Sequence, residues 1–161
     1  MSSCWRTATL GLILSVAAIA IISLPVQAGD PLAGTWELNV AKSKYSPGPP
    51  PQSETRTYEV TGQQEKMIAR RIVGEGTPTL LQFTANRDGK DYPYEGWSRA
   101  DTISLTPVDT FTATWTLKKA GEVVLTGTRV ISKDGKIMTI SSKGTDATGQ
   151  PWERIEVFDK R

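Results

Sequence analysis

The sequence has 161 residues, with 19 lysines and arginines against 17 aspartates and glutamates, no histidine and a single cysteine, Cys4. A formal charge of +2, spread over interleaved charges of both signs, lacks the basic stripe of a nucleic-acid-binding protein. The absence of histidine excludes Ser-His-Asp and Cys-His catalysis, and also histidine-ligated zinc or haem. We therefore expect no metal, no other cofactor and no nucleic acid partner, and no residues are selected as catalytic.

Residues 1–28 have the pattern of a secretory signal peptide. Arg6 precedes an uncharged stretch from Ala8 to Leu24 that is rich in leucine, isoleucine, alanine and valine. Pro25 ends this apolar stretch, and compact residues lead up to a cleavage site after Ala28. We expect export to the periplasm or the cell exterior. The alternative is an uncleaved membrane anchor, although the stretch falls just short of the roughly 20 residues that span a bilayer.

Residues 29–161 form the predicted mature chain and are long enough for one domain with its own core. This part of the chain contains no cysteine, so no disulfide can stabilise it. The fold must therefore depend on its apolar core. No feature of the sequence indicates an oligomeric state.

Alternation of apolar and polar residues predicts β-strands along the whole mature chain. The clearest case is Phe111–Leu117, where every second residue is threonine, as in a strand with one buried and one wet face. Asp88-Gly89 and Asp134-Gly135 indicate tight hairpin turns. No segment has the apolar spacing of a helix. The predicted strands are 35–40, 55–61, 66–73, 79–86, 102–106, 110–118, 122–132, 136–143 and 151–159.

An antiparallel meander without covering helices must bury its apolar face by stacking two layers or by closing on itself, and closure also removes exposed edges. We therefore predict an all-β fold in which an up-and-down meander closes into a barrel of eight to ten strands. A proline-rich segment, 46–51, follows the first strand and favours an extended, stiff connection. It is either a spacer across one end of the barrel or a docking site for a partner's aromatic groove.

The segment Gly34-Thr35-Trp36-Glu37-Leu38-Asn39 heads the meander. This Gly-x-Trp pattern resembles the calycin superfamily, which includes lipocalins, fatty-acid-binding proteins and avidins. The resemblance implies that Gly34 and Trp36 lie at a closed end of the barrel, with a basic residue of the last strand over the indole. Lys160 is the matching residue for this contact. Two other basic residues are alternatives, Arg154 and Arg161.

Four segments, 34–39, 42–48, 88–93 and 132–136, resemble more closely a group of small secreted bacterial lipocalin-like proteins of unknown function. The chain departs from the fatty-acid-binding branch at two places. The proline-rich segment stands where that branch has two helices. Glu156 and Phe158 stand where its last strand has the arginine and tyrosine that hold a carboxylate. We therefore do not expect that carboxylate site here.

Arginines are candidate ligand contacts. Arg70 and Arg71 are neighbours on one predicted strand, so their side chains must point to opposite faces. Arg129 lies on another predicted strand. An inward arginine would hold a ligand carboxylate or phosphate, or would be neutralised in a buried pair with Glu59 or Glu156. The alternative is that these arginines point into solvent.

Aromatic residues are the other candidates. Trp115 either fills the barrel or lines a cavity, and Trp97 and Trp152 lie at predicted strand ends on the rim. Tyr92 and Tyr94 are predicted in a loop at the mouth of the barrel. We select five residues as candidate ligand contacts: Arg71, Trp115, Arg129, Tyr58 and Tyr92.

We expect a non-catalytic barrel that binds a small apolar or amphipathic molecule in its interior. The alternative is a filled barrel that acts as a protein-interaction module through rim loops 45–51 and 92–97. A small enzyme using arginine, tyrosine or carboxylates is a third interpretation, which the lack of histidine disfavours. Cavity volume separates the first two, since bulky side chains fill an eight-stranded barrel, whereas ten strands leave room for a ligand. The bulky side chains in question are Leu81, Phe83, Phe111 and Trp115.

Overall fold

The structure is a computed structural model that describes residues 29–46, 48–146 and 148–161. The predicted signal peptide, 1–28, lies outside the described residues. The described chain has eleven β-strands and one short 3-10 helix, Val40–Lys42. None of its helices has the length and apolar character needed to cross a membrane. The strands are β1 Gly34–Leu38, β2 Lys44–Ser46, β3 Ser53–Thr61, β4 Gln64–Ile72, β5 Thr79–Asn86, β6 Tyr92–Glu95, β7 Thr102–Pro107, β8 Thr112–Lys119, β9 Glu122–Ile131, β10 Ile137–Thr145 and β11 Pro151–Lys160.

The strands form a closed antiparallel barrel. From β3 to β11, each strand pairs with the next one along the chain. Strand β1 pairs with both β3 and β11, with Trp36 opposite Arg56 on one side and Lys160 on the other, and this closes the barrel. Strand β2 also pairs with β11, so β1 and β2 share one of ten strand positions. The structure confirms the predicted all-β, up-and-down barrel.

Two strands were not predicted from the sequence, β2 and β6. Both are short, and β6 contains Pro93, which lacks the N–H that a strand interior needs. Each edge of β6 pairs through only two residues, such as Phe83 with Tyr94 and Tyr92 with Ile103. The prediction that Tyr92 and Tyr94 lie in a mouth loop is therefore wrong, because both belong to this strand.

One end of the barrel, here called the closed end, is sealed by the segment before β1. The Trp36 side chain is fully buried, and its Nε1 donates to the Leu32 carbonyl at 2.8 Å. Lys160 Nζ lies 5.0 Å from the centre of the indole ring and donates to the Pro31 carbonyl at 2.9 Å. Gly34 has a φ of 126°, and a Cβ there would lie 3.0 Å from Lys160 Cε. Glycine is therefore required where the last strand crosses the first.

The opposite end, here called the open end, carries the connections β2–β3, β4–β5, β6–β7, β8–β9 and β10–β11. Strand β11 runs from this end to the closed end. Its inward face carries Trp152, Arg154, Glu156 and Phe158, whereas Ile155 faces outward and is 40% exposed. The structure therefore directs Arg154 and Glu156, and not Ile155, into the barrel.

Candidate functional site

The barrel encloses a cavity of about 330 Å³. Every strand from β3 to β11 contributes inward-facing side chains to its lining. Val73, Trp97 and Arg99, from connections at the open end, complete it. The cavity therefore lies between the middle of the barrel and its open end, away from the sealed end at Trp36.

One wall of the cavity is apolar. Strands β5 to β9 are neighbours in the sheet, and their inward side chains are mainly aliphatic or aromatic. Trp115 on β8 lies opposite Gly127 on β9, where a Cβ would be only 2.3 Å from the indole Cζ2. The absence of a side chain at this glycine therefore makes room for the indole. The apolar wall consists of Leu81, Phe83, Ile103, Leu105, Trp115, Leu117 and Leu125.

The opposite wall is polar and comes from β3 and β11, which both pair with β1, and from β4, which pairs with β3. Arg56 Nε and Arg71 Nε donate to the two oxygens of Glu54 at 2.5 and 2.6 Å. Arg71 also donates to Glu156 Oε1 at 2.9 Å, and Arg56 lies 3.4 Å from Glu156 Oε2. The Tyr45 hydroxyl donates to Glu156 Oε1 at 3.1 Å. We call these five residues the wall cluster, and its two arginines and two glutamates sum to zero charge.

The ionisation of the wall cluster follows from burial and pairing. Burial alone raises the pKa of Glu54, but the attraction of Arg56 and Arg71 outweighs it and holds the pKa below its usual value of 4.5. Burial lowers the pKa of Arg56, and the combined effect of Glu54, Tyr58 and Glu156 more than reverses it. Burial, assisted by Glu156, raises the pKa of Tyr45 above its ordinary range. At neutral pH the cluster therefore holds paired ions and a neutral phenol.

A second group of charges lies towards the closed end. Arg129 donates through two nitrogens to Glu65, at 2.6 and 2.8 Å. Arg87 donates to the same carboxylate at 3.0 Å and to Asp30 at 2.6 Å. The Arg129 guanidinium lies 5.3 Å from the centre of the Tyr58 ring. Arg129 reaches the cavity with its charge already compensated by a buried carboxylate.

Two of the three arginines considered from the sequence face inward. Arg71 and Arg129 line the cavity, whereas Arg70 is exposed. Glu156 pairs with Arg71, which is one of the two pairings considered from the sequence. The other is wrong, because Glu59 is exposed on the outer surface and contacts Lys66 at 3.5 Å.

Two further partners of these arginines were missed: Glu54, which pairs with Arg71, and Glu65, which pairs with Arg129. Their signal lay in the period-two spacing, which puts Glu65 on the same face as Met67 and Arg71. A glutamate in a strand is typical of the solvent face, and this made both residues look unremarkable.

Only some of the aromatic residues selected from the sequence line the cavity. Trp115 and Tyr58 line the cavity, but Tyr92 does not. The Tyr92 hydroxyl donates to Asp88 at 3.0 Å, in the turn before β6 at the closed end. Tyr94 lines the cavity instead, and burial raises the pKa of its hydroxyl to about 12. Tyr92 therefore lies outside the cavity lining, and the ligand contacts of the selected residues stay predictions.

Trp97 and Trp152, the two tryptophans predicted at the rim, line the cavity at the open end. An arginine side chain packs over the ring of each. The guanidinium of Arg99 lies 5.6 Å from the centre of the Trp97 ring, and that of Arg154 lies 4.3 Å from the centre of the Trp152 ring. In the part of the chain that the structure describes, no group of three or more histidine, cysteine or acidic residues is placed to hold a metal ion.

No protein-family model matches the sequence, and no curated protein matches it. Among solved structures, the barrel is similar to the zebrafish ileal bile acid-binding protein complexed with cholic acid, with a TM-score of 0.54. The match covers 81% of this chain and 99% of the zebrafish chain, at 12% sequence identity. At this identity the likeness shows the fold alone. The described residues thus share the barrel architecture of the zebrafish protein.

Proposed function

We propose that this protein binds a small amphipathic molecule inside the barrel and releases it chemically unchanged. The observation that carries the proposal is the cavity of about 330 Å³ between an apolar wall and a polar wall. Its volume falls within the range of roughly 300–1,000 Å³ typical of small-molecule pockets. A barrel filled by its own side chains would leave no such space, so the protein-interaction alternative is disfavoured.

The two walls predict how a ligand lies in the cavity. Aliphatic and aromatic side chains of β5 to β9 exclude water from the apolar side of a ligand, which contributes about 25 cal/mol per Å² of buried apolar surface. On the other side, Arg56, Arg71 and Tyr45 are held in place by Glu54 and Glu156. Guanidinium groups have five N–H donors, so donors beyond those used in these pairs are available to ligand oxygens.

The likeness to the zebrafish structure supports the proposal at the level of fold. That protein is described as an ileal bile acid-binding protein and is complexed with cholic acid. A barrel of the same architecture therefore holds a small molecule. In the present chain, Glu156 occupies the inward face of the last strand and is paired with Arg56 and Arg71.

The test uses two adjacent serines on β10 that face opposite sides of the sheet. Ser142 lines the cavity, whereas Ser141 is exposed on the outer surface. We expect Ser142→Phe to reduce binding of the neutral dye N-phenyl-1-naphthylamine at least about tenfold, because the ring occupies ligand space, and Ser141→Phe to bind like wild type. The readout is dye fluorescence, with circular dichroism to verify folding. Equal binding by the two variants, or no binding by the wild type, would contradict an internal site.

We also propose that the protein is exported, as in the small secreted bacterial proteins that its sequence resembles. The support is the charge, apolar stretch and cleavage pattern of residues 1–28. N-terminal sequencing of the protein from the periplasmic or extracellular fraction tests this, with Gly29 expected as the first residue. A chain that starts at Met1 and remains in the membrane fraction would indicate the uncleaved anchor.

A further inference from the structure

The charges around the cavity are not compensated evenly. Five arginines line it, and three of them, Arg56, Arg71 and Arg129, form ion pairs with buried glutamates. The other two, Arg99 and Arg154, have no carboxylate within salt-bridge distance among the described residues, which include every aspartate and glutamate of the sequence. An excess of positive charge is therefore concentrated at these two side chains.

Both uncompensated arginines lie at the open end. Arg99 is in the connection between β6 and β7 and donates to the carbonyl of Thr145, the last residue of β10, at 2.6 Å. Arg154 is near the start of β11, one inward position beyond Trp152. Thr145 is followed by the connection that leads into β11. The bond from Arg99 to Thr145 therefore brings the β6–β7 connection next to the β10–β11 connection at the mouth of the cavity. Arg99 and Arg154 line the same cavity from this mouth.

The surroundings hold each guanidinium in place without neutralising it. Trp97 and Trp152 support Arg99 and Arg154 through their ring faces. Two acids act on them from beyond salt-bridge distance, Asp146 on Arg99 and Glu156 on Arg154. Hydrogen bonds from Thr148 and Gln150 lower the pKa of Asp146, and Arg99 adds a smaller effect. Burial is the main cause that lowers the pKa of Arg154, which remains charged at neutral pH.

The deeper cavity is a poor place for an anion. Glu156 faces the cavity from the polar wall, and Glu54 and Glu65 lie buried behind the arginines that they neutralise. An anionic group there would lie beside the Glu156 carboxylate and against arginines whose charge is already compensated, so it would lose hydration without gaining a net countercharge. At the mouth, the same group meets two guanidiniums with free donors and keeps part of its hydration.

From this distribution we infer that the ligand is an amphipathic anion whose acidic group lies at the mouth between Arg99 and Arg154. Its apolar body extends inward along the wall formed by β5 to β9. This inference rests on the proposed function and adds the charge of the ligand and its orientation. The acidic group then lies near Arg154 on β11, which is closer to the open end than Glu156 of the wall cluster and Phe158 are.

The test compares two dyes with the same apolar body, 8-anilinonaphthalene-1-sulfonate and the neutral N-phenyl-1-naphthylamine. The ratio of their dissociation constants isolates the contribution of the sulfonate. We expect the double variant Arg99→Gln/Arg154→Gln to lower the preference for the sulfonate dye at least about tenfold, since charge-assisted hydrogen bonds are lost. Each single variant is expected to lower it about threefold. The matched control is Arg70→Gln, which removes an exposed outward cation and leaves the ratio as in wild type.

The outcomes separate this inference from the proposed function. A preference that falls in the double variant and not in R70Q supports the mouth site. A preference that stays at the wild-type value, because both dyes bind as before or weaken together, overturns it while leaving internal binding of the neutral dye established. Failure of the wild type to bind either dye overturns both. Circular dichroism of each variant ensures that every comparison is made on folded protein.

Discussion

Replacing Glu54 by glutamine removes the most deeply buried charge of the wall cluster. The Glu54 side chain is fully buried and accepts from Arg56 and Arg71 at 2.5 and 2.6 Å. Hydrogen bonds to charged groups contribute about 1.5–3 kcal/mol each, and loss of one partner of a buried ion pair costs about 3–5 kcal/mol. The glutamine carbonyl retains one of the two bonds, and Glu156 remains a partner of both arginines. We therefore expect E54Q to lower the free energy of unfolding by about 3 kcal/mol at pH 7.

Urea denaturation followed by tryptophan fluorescence measures this loss. With an m-value of about 2 kcal/mol per molar, the midpoint of E54Q should fall by roughly 1.5 M. The matched control is E59Q on the same strand, because Glu59 is exposed and contacts only Lys66, at 3.5 Å. Its expected loss is below about 1 kcal/mol, as for other surface pairs. Equal losses for E54Q and E59Q would refute the argument that buried ion pairs form the polar wall.

The difference in unfolding free energy between wild type and E54Q should also depend on pH, with a defined sign. The pKa of Glu54 is lowered in the folded state from its ordinary value of 4.5, so ionisation of this group stabilises the fold. That stabilisation is fully present above the unfolded pKa and is lost as the pH falls through the lower folded pKa. The stability difference between wild type and E54Q should therefore be constant from pH 7 down to about pH 5 and shrink below pH 4.5. A difference that grows on acidification would contradict this assignment.

Two further substitutions test the barrel frame. Lys160→Met removes the cation over Trp36 and the bond to the Pro31 carbonyl, and we expect a loss of about 1–3 kcal/mol in thermal unfolding. Arg161→Met is its control, since Arg161 pairs with Glu37 on the surface and its loss should cost below about 1 kcal/mol. Gly127→Ala places a methyl group 2.3 Å from Trp115. We therefore expect the free energy of unfolding to fall by about 1–3 kcal/mol and the tryptophan emission to shift. Stability and emission equal to those of the wild type would show that the indole does not pack on this glycine.

Strands with a clear alternation of apolar and polar residues could be predicted from the sequence. The two short strands, which are strands only because they pair with neighbours in the closed barrel, could not. The alternation of threonine with apolar residues through Phe111–Leu117 indicated β8 directly. Strand β2 has three residues, and β6 has four with a proline among them, so neither has enough length for a pattern. Their strand conformation depends on the neighbours that closure of the barrel supplies, and those neighbours are distant in sequence.

The candidate site was predictable only in part, because most of its ion pairs join residues that are distant in sequence. The spacing of Arg70 and Arg71 showed that their side chains point to opposite faces, but only the register of β4 shows that Arg71 is the one that faces inward. The partner of Arg129 is Glu65, which lies 64 residues away on a strand that is not adjacent in the sheet. Such a pair forms across the interior, and local periodicity contains no information about it. The open-end position of Arg99 depends in turn on β6, which the sequence did not reveal.

Native mass spectrometry of the protein purified from its host tests ligand binding in the barrel interior most directly. The protein should carry one small molecule per chain, either retained from the host or taken up from a lipid extract, and this molecule should leave when the barrel unfolds. The Ser142→Phe variant should show the bare mass under the same conditions, and Ser141→Phe should show the adduct. A bare wild-type mass without uptake from the extract would contradict binding in the barrel interior.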